Sequence, residues 1–263
     1  MIKIEFRKIL KLKITWICLI LGISSGLVGL ISYYSDAYFI IASGQDQAIS
    51  AFQAWLYCLS LSSETIYKII APLLIVAGLD SVFVERKSGY TNFILSRVDK
   101  RKYILGKWMA GVIVAVVTLL LIILSWLIVC LVLFPANMPV DRYTYIHETQ
   151  LKNLFVTSPL AYIVMVLILN TIFAIVFYSM GFSIALTAKN RYIVSISPFI
   201  IYLLLVMLAA IIKVPYLSPL PLIVPNEVIG LRLIHIVFYG AIIGGLTLLF
   251  FFKQYHKWSR EVI

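Results

Sequence analysis

The residues best suited to chemistry or docking lie in one basic connection, from Glu85 to Lys107. Within it Tyr90, Phe93, Ile94 and Val98 recur at helical spacing and form an apolar stripe, while Asn92, Ser96 and Arg97 fall elsewhere on the wheel. Gly89 precedes the stripe and can break it away from the helix before it. The pattern predicts a short amphipathic helix lying flat at a membrane surface. On the residues alone, that helix need do no more than anchor its loop to lipid headgroups. Catalytic spacings are missing elsewhere. The chain has no GxxxxGK[ST] phosphate loop, so it is not expected to hydrolyse ATP itself. His147, His235 and His256 are scattered, with no HExxH, and Cys18, Cys58 and Cys130 form neither a CxxC pair nor a metal-ligand spacing. No catalytic residue, no metal site and no cofactor bound by this chain is expected, and the chain does not read as an enzyme.

The elements that must position this connection are apolar. Of 263 residues 62 % are hydrophobic and 13 % charged, whereas a soluble domain carries about 25 % charged residues. Lipid is therefore the expected solvent. Six apolar runs are long enough to cross a bilayer: 14–34, 66–84, 108–134, 159–188, 192–212 and 233–252. Helices are expected, because hydrocarbon forces backbone groups to bond within their own segment, and the alternating ten-residue strands of a barrel are absent. The second run is shorter and contains Lys68 and Asp80. The first exceeds the length of a signal-peptide core and reads as a retained helix.

Charge sets the orientation. With both termini in the cytoplasm, all but Lys68, Arg142, Lys152, Lys213 and Arg232 of the 22 Lys and Arg residues fall on the inner side, as the positive-inside rule requires. That asymmetry accounts for the net charge of +11 without a nucleic-acid partner. The expected architecture is all-α: a multi-pass protein of the cell membrane with six transmembrane helices in one domain. Residues 1–13 read as an interfacial helix, with Ile2, Phe6, Ile9 and Leu10 on one face and Lys3, Arg7, Lys8 and Lys11 on another. On the outer side, 35–65 reads as a polar-to-amphipathic loop and 135–158 as a polar loop. Residues 213–232 carry Pro215, Pro219, Pro221 and Pro225 around an apolar stretch, and read as a broken re-entrant segment, with a surface loop as the alternative.

Two GxxxG patterns, Gly22/Gly26 and Gly240/Gly244, permit close helix approach within the chain or between subunits. Asp80 and Asn170 are the intramembrane polar candidates. Asp80 lies close enough to the inner end to reach water or a basic partner, and Asn170 suits an interhelical hydrogen bond.

The connection then acquires a second meaning. An acidic residue, a glycine, an apolar pair followed by Arg, a basic residue and finally Gly-Lys opening a helix resembles the ABC-2 family of ABC transporter permeases. The matching residues are Glu85, Gly89, Arg97, Arg101, Gly106 and Lys107; the departure is Tyr90-Thr91, where the family usually places Thr directly after Gly. The resemblance implies that this loop is a coupling helix docking on a separate cytoplasmic ABC ATPase, which would hold the ATP and Mg. Tyr90, Phe93 and Ile94 would then supply the apolar contact and Arg97 and Arg101 the charge pairing, while Glu85 ties the loop to the basic cluster. It also implies an exporter moving a hydrophobic or amphipathic cargo such as a peptide, antibiotic or lipid-like molecule, completed by a second copy or a homologous permease. The alternatives are an ion-coupled transporter or channel, or a membrane immunity protein or enzyme without an ATPase.

Overall fold

A computed structural model describes residues 2–42, 50–59, 66–139, 150–225 and 232–261; the loop residues Asp46, Glu64, Arg142 and His147 fall outside them. Every regular element among the described residues is helical. The α-helices in chain order are α1 (Ile2–Leu10), α2 (Lys13–Ala42), α3 (Ala51–Leu59), α4 (Ile66–Leu74), α5 (Ser81–Lys87), α6 (Tyr90–Leu95), α7 (Lys100–Leu133), α8 (Gln150–Thr157), α9 (Pro159–Thr187), α10 (Arg191–Ile212), α11 (Leu220–Ile223) and α12 (Leu233–Glu261), with a short 3-10 turn at Pro215–Leu217 before α11. Five of these, α2, α7, α9, α10 and α12, are long and apolar enough to cross a membrane. The chain is a multi-pass membrane protein. The centre of the bundle is α9, on which α7, α10 and α12 pack; α2 lies on the far side of α7.

The second expected span, residues 66–84, is not one helix. It divides into α4 and α5 around a turn in which Gly78 takes φ 81°, a left-handed backbone that favours glycine. Pro72 lies inside α4, where it removes a backbone donor. Broken backbone is tolerated at membrane depth only when protein shelters it. Here Ile75, Ala77 and Leu79 in the turn are buried.

The stretch 35–65 departs from the expected polar-to-amphipathic loop over its described residues. Helix α2 continues to Ala42, and α3 is buried along all nine of its residues, between α2 and α7. Its sequence, AFQAWLYCL, is uncharged but too short to span, so its apolarity carries no length signal. It is fastened where the chain leaves α7: Ala51 N–H donates to Pro135 O at 2.9 Å, and the Ser50 hydroxyl to Asn137 O at 2.6 Å. The Trp55 indole N–H donates to Ile123 O at 3.2 Å.

The two GxxxG patterns have different fates. Gly22 and Gly26 let α2 sit directly on α7: a methyl at either would overlap Ile122 or Trp126, and the Trp126 indole donates to Ile23 O at 3.2 Å. Gly240 and Gly244 face open space and pack against nothing in their own chain. Gly111, not singled out by spacing, performs the same close-approach role against Tyr178 of α9.

Gly26→Ala should therefore lower the thermal stability of the detergent-solubilised protein by about 1–3 kcal/mol, the usual cost of overpacking. Gly240→Ala should leave it unchanged or raise it, since helical alanine is favoured over glycine by about 1 kcal/mol. Equal melting shifts for the two variants would contradict this packing.

Candidate functional site at the basic end

At one end of the bundle, three helices meet on a buried charge. Lys107, in the second turn of α7, has a side chain only 1 % exposed; its Nζ lies 3.1 Å from Glu5 Oε2 of α1 and 3.0 Å from Glu85 Oε1 of α5. Lys8 of α1 also pairs with Glu85 Oε1, and the Tyr103 hydroxyl donates to Glu85 Oε2 at 2.8 Å. Burial by itself pushes the Glu85 carboxyl up. The Lys107 charge and the hydrogen bonds from Lys8, Lys107 and Tyr103 outweigh it, holding the carboxyl below the usual carboxylate range. Burial likewise pulls the Lys8 ammonium down, but its bond to Glu85 and the two carboxylate charges raise it overall.

This network rotates α1 from its expected placement. Its buried side chains are Glu5 and Ile9, while Ile2 and Leu10 remain more than one-third exposed. Glu5 is drawn inward by Lys107, and one helical turn later Ile9 fills the space over Gly78. The Thr15 hydroxyl and Trp16 indole then take up the carbonyls of Ile9 and Leu10 at the end of α1.

The same assembly carries α6. Gly89 caps it at φ 74°, the left-handed corner that separates it from α5. The expected apolar stripe divides. Ile94 and Val98 are half-buried against the core, whereas Phe93 is 77 % and Tyr90 54 % exposed. Arg97 is exposed on the following turn. Arg101 is exposed too, but it stands on α7 beside His256 of α12, so it does not share a face with the α6 residues. Glu85 and Lys107 are buried and hold helices together; neither is open to a partner.

Compared with family models, curated proteins and solved structures, the chain finds no match.

Two further locks stiffen this end. Arg86 donates to the carbonyls of Leu186 and Ala188, satisfying the carboxyl end of α9, where free carbonyls and the helix dipole favour a cation. Asp80, at the start of α5, accepts from Arg191 Nε at 2.7 Å and so joins α5 to the first residue of α10. This places Asp80 in a helix-end ion pair.

Asn170 lies deep in the bundle and is fully buried. Its Oδ1 accepts from the Tyr67 hydroxyl at 2.9 Å, and its Nδ2 donates to Val166 O at 3.0 Å and to Ile223 O at 3.1 Å. One amide thus ties α4 and α11 to α9. The described part of the proline-rich segment, through Pro225, is seated by that bond, with Leu222, Ile223 and Val224 buried. Residues 226–231 lie outside the described residues.

Of the network residues, Glu5 and Tyr103 were not legible as site members. The one available signal was an acidic residue inside an otherwise basic amphipathic helix, which costs that helix membrane affinity unless a buried cation takes it up.

Glu85→Gln should destabilise the protein by about 3 kcal/mol, because it leaves Lys107 buried with half its compensation. The wild-type contribution of Glu85 is complete at neutral pH and is lost as pH falls through its lowered folded-state value, below the range of an unfolded carboxylate. Melting curves against pH should show that acid limb in the wild type and a flatter one in Glu85→Gln. Asn170→Leu, which strands the Tyr67 hydroxyl and the Ile223 carbonyl, should cost about 1–3 kcal/mol in the same assay. An unaltered melting temperature would remove the amide clamp.

Proposed function

We propose that this chain is the membrane subunit of an ABC-2-type exporter, driven by a separate cytoplasmic ATPase that docks on α6. The observation that carries this reading is the pairing of an exposed knob with a rigid mount. Phe93 and Tyr90 stand out from the bundle, while the helices on either side of α6 are joined to each other and to α1 through Glu85, Lys107 and Glu5. A lipid anchor needs the exposed aromatics but not the mount. A mechanical coupler needs both, since a force applied at Phe93 must reach α7 rather than be absorbed by a loop.

On this reading the basic end faces the cytoplasm, in keeping with the distribution of Lys and Arg. Phe93 and Tyr90 enter an apolar groove on the ATPase, and Arg97 pairs with its carboxylates. Ile94 supports the knob from within. ATP and Mg reside on the partner. Closure of the ATPase moves α5 and α7 together, and the Arg86 bonds to the end of α9 pass that motion to the centre of the bundle. The cargo is hydrophobic or amphipathic, and a second copy or homologous permease completes the pathway. An ion-coupled mechanism gains no support from Asp80 or Asn170, because Asp80 pairs with Arg191 and both ends of the Asn170 amide are bonded within the chain.

The test is affinity capture of the solubilised protein from its native host, beside Phe93→Asp/Arg97→Glu, with captured proteins identified by mass spectrometry. An ATPase carrying a phosphate loop should copurify with the wild type and fall by roughly thirtyfold in the double variant, as expected for loss of a central hot spot. If well-folded wild type brings down no such ATPase, the exporter reading fails.

A further inference from the structure

Where α7 and α12 both pack on α9 they leave a furrow between them, with the two helices in contact at the Trp108 and Phe251 rings, whose centroids lie 6.1 Å apart, and at the hydrogen bond from Lys100 Nζ to Ser259 O. Its deeper part, about 340 Å³, is apolar: Trp108 and Leu105 on one wall, Thr247 and Phe251 on the other, and Ile175 with Ser179 on the floor. A second hollow of about 330 Å³ shares Leu105, Phe251 and Phe252 with the first and continues it toward Arg101 and His256. Beyond His256 the cleft is lined by Lys253, Lys257 and Arg260.

Three features make this more than lipid-facing surface. First, Gly244 lies in the furrow wall and nothing stands beside its missing side chain, so the space continues down α12 where a larger residue would close it. Second, the polar floor is self-contained: the Trp108 indole donates to the Ser179 hydroxyl at 2.9 Å, which itself donates to Ile175 O, and Thr247 donates to Ile243 O. The lining therefore asks an occupant for apolar contact alone. Third, Lys253, Lys257 and Arg260 lie with His256 on one surface of α12, His256 in turn borders the hollow that holds Arg101, and among the described residues no carboxylate pairs with any of these cations. Like charges three and four residues apart destabilise a helix unless an anion joins them.

We infer that the furrow between α7 and α12 is a binding site for one anionic phospholipid, its acyl chain lying along Trp108 and Thr247 and its phosphate held among Lys253, His256, Lys257 and Arg101. An apolar slot ending in several cations is complementary to a molecule with one long hydrocarbon tail and a charged head. A zwitterionic lipid gains the slot but little from the cations. The inference depends on the fold alone and stands whether or not an ATPase binds α6, since Lys253 and Lys257 lie on α12.

Native mass spectrometry of the detergent-solubilised full chain tests it, with titration of phosphatidylglycerol, phosphatidylcholine of the same chains, and inorganic phosphate. The wild type should retain one phosphatidylglycerol in preference to phosphatidylcholine. Lys253→Gln/Lys257→Gln, which alters two exposed side chains, should weaken phosphatidylglycerol binding by about thirtyfold and leave phosphatidylcholine unchanged, at the usual contribution of a cation near a headgroup. Gly244→Phe, which projects into open furrow, should reduce retention of both lipids. Equal retention of the two lipids by the wild type, or an unchanged preference in the double variant, would overturn the inference. So would phosphate binding as tightly as phosphatidylglycerol, which would make this a free-anion site. A lipid-free dimer would overturn it as well, because a second copy would then cover the furrow.

Discussion

An ammonium group sits almost out of reach of water at Lys107, and the arrangement of the basic end follows from what that charge requires. A lone cation in such a place is strongly disfavoured, and it is tolerated here because two carboxylates from separate helices converge on it. Glu85 can reach it only if α5 packs beside α7, and Glu5 only if α1 turns its acidic side inward. The turn at Gly78, the seat of Ile9 and the corner at Gly89 are the backbone consequences. With α5 and α7 fixed, α6 has no freedom except to project, and Phe93 is left standing outside.

The membrane-buried region obeys a parallel rule in uncharged form. Hydrocarbon offers no partner to a free carbonyl, so each break in helical structure must be met by a side chain. Asn170 meets the short helix α11 through Ile223 O and braces α4 through Tyr67. At the basic end the charged Arg86 plays the corresponding part for the end of α9. These polar contacts specify which broken segment packs where, since apolar contacts among Leu, Ile and Val side chains are nearly interchangeable. Close approach of α2 to α7 through Gly22 and Gly26 adds shape to that specificity.

The long helices were legible because a bilayer imposes a length on any apolar run that crosses it. Residues 159–188 and 192–212 foretold α9 and α10 to within a residue at each end, and 108–134 foretold α7 apart from its first two turns. In those turns Lys100, Arg101 and Lys102 read as loop, whereas a helix can continue past the hydrocarbon and carry such residues into water. The short segments were misread for the opposite reason. Helix α3 is apolar but nine residues long, and 66–84 is long enough to span but carries Pro72 and Gly78. Burial between other helices, which hydropathy does not encode, decided both.

For the candidate site, spacing marked the stripe through Phe93 and the break at Gly89, while Glu85 and Lys107 entered only through the resemblance to ABC-2 permeases. Whether each member faces outward or inward was not determined locally. Phe93 and Ile94 are neighbours on one predicted stripe, yet one is exposed and the other supports the core. Glu85 and Lys107 are charged, yet both are buried. Sequence set the long apolar helices, because solvent transfer acts on each segment separately. Tertiary structure alone decided which charges met, which glycines were filled by a neighbour and which furrow stayed open, because those depend on residues as far apart as Glu5 and Lys107 arriving at one place.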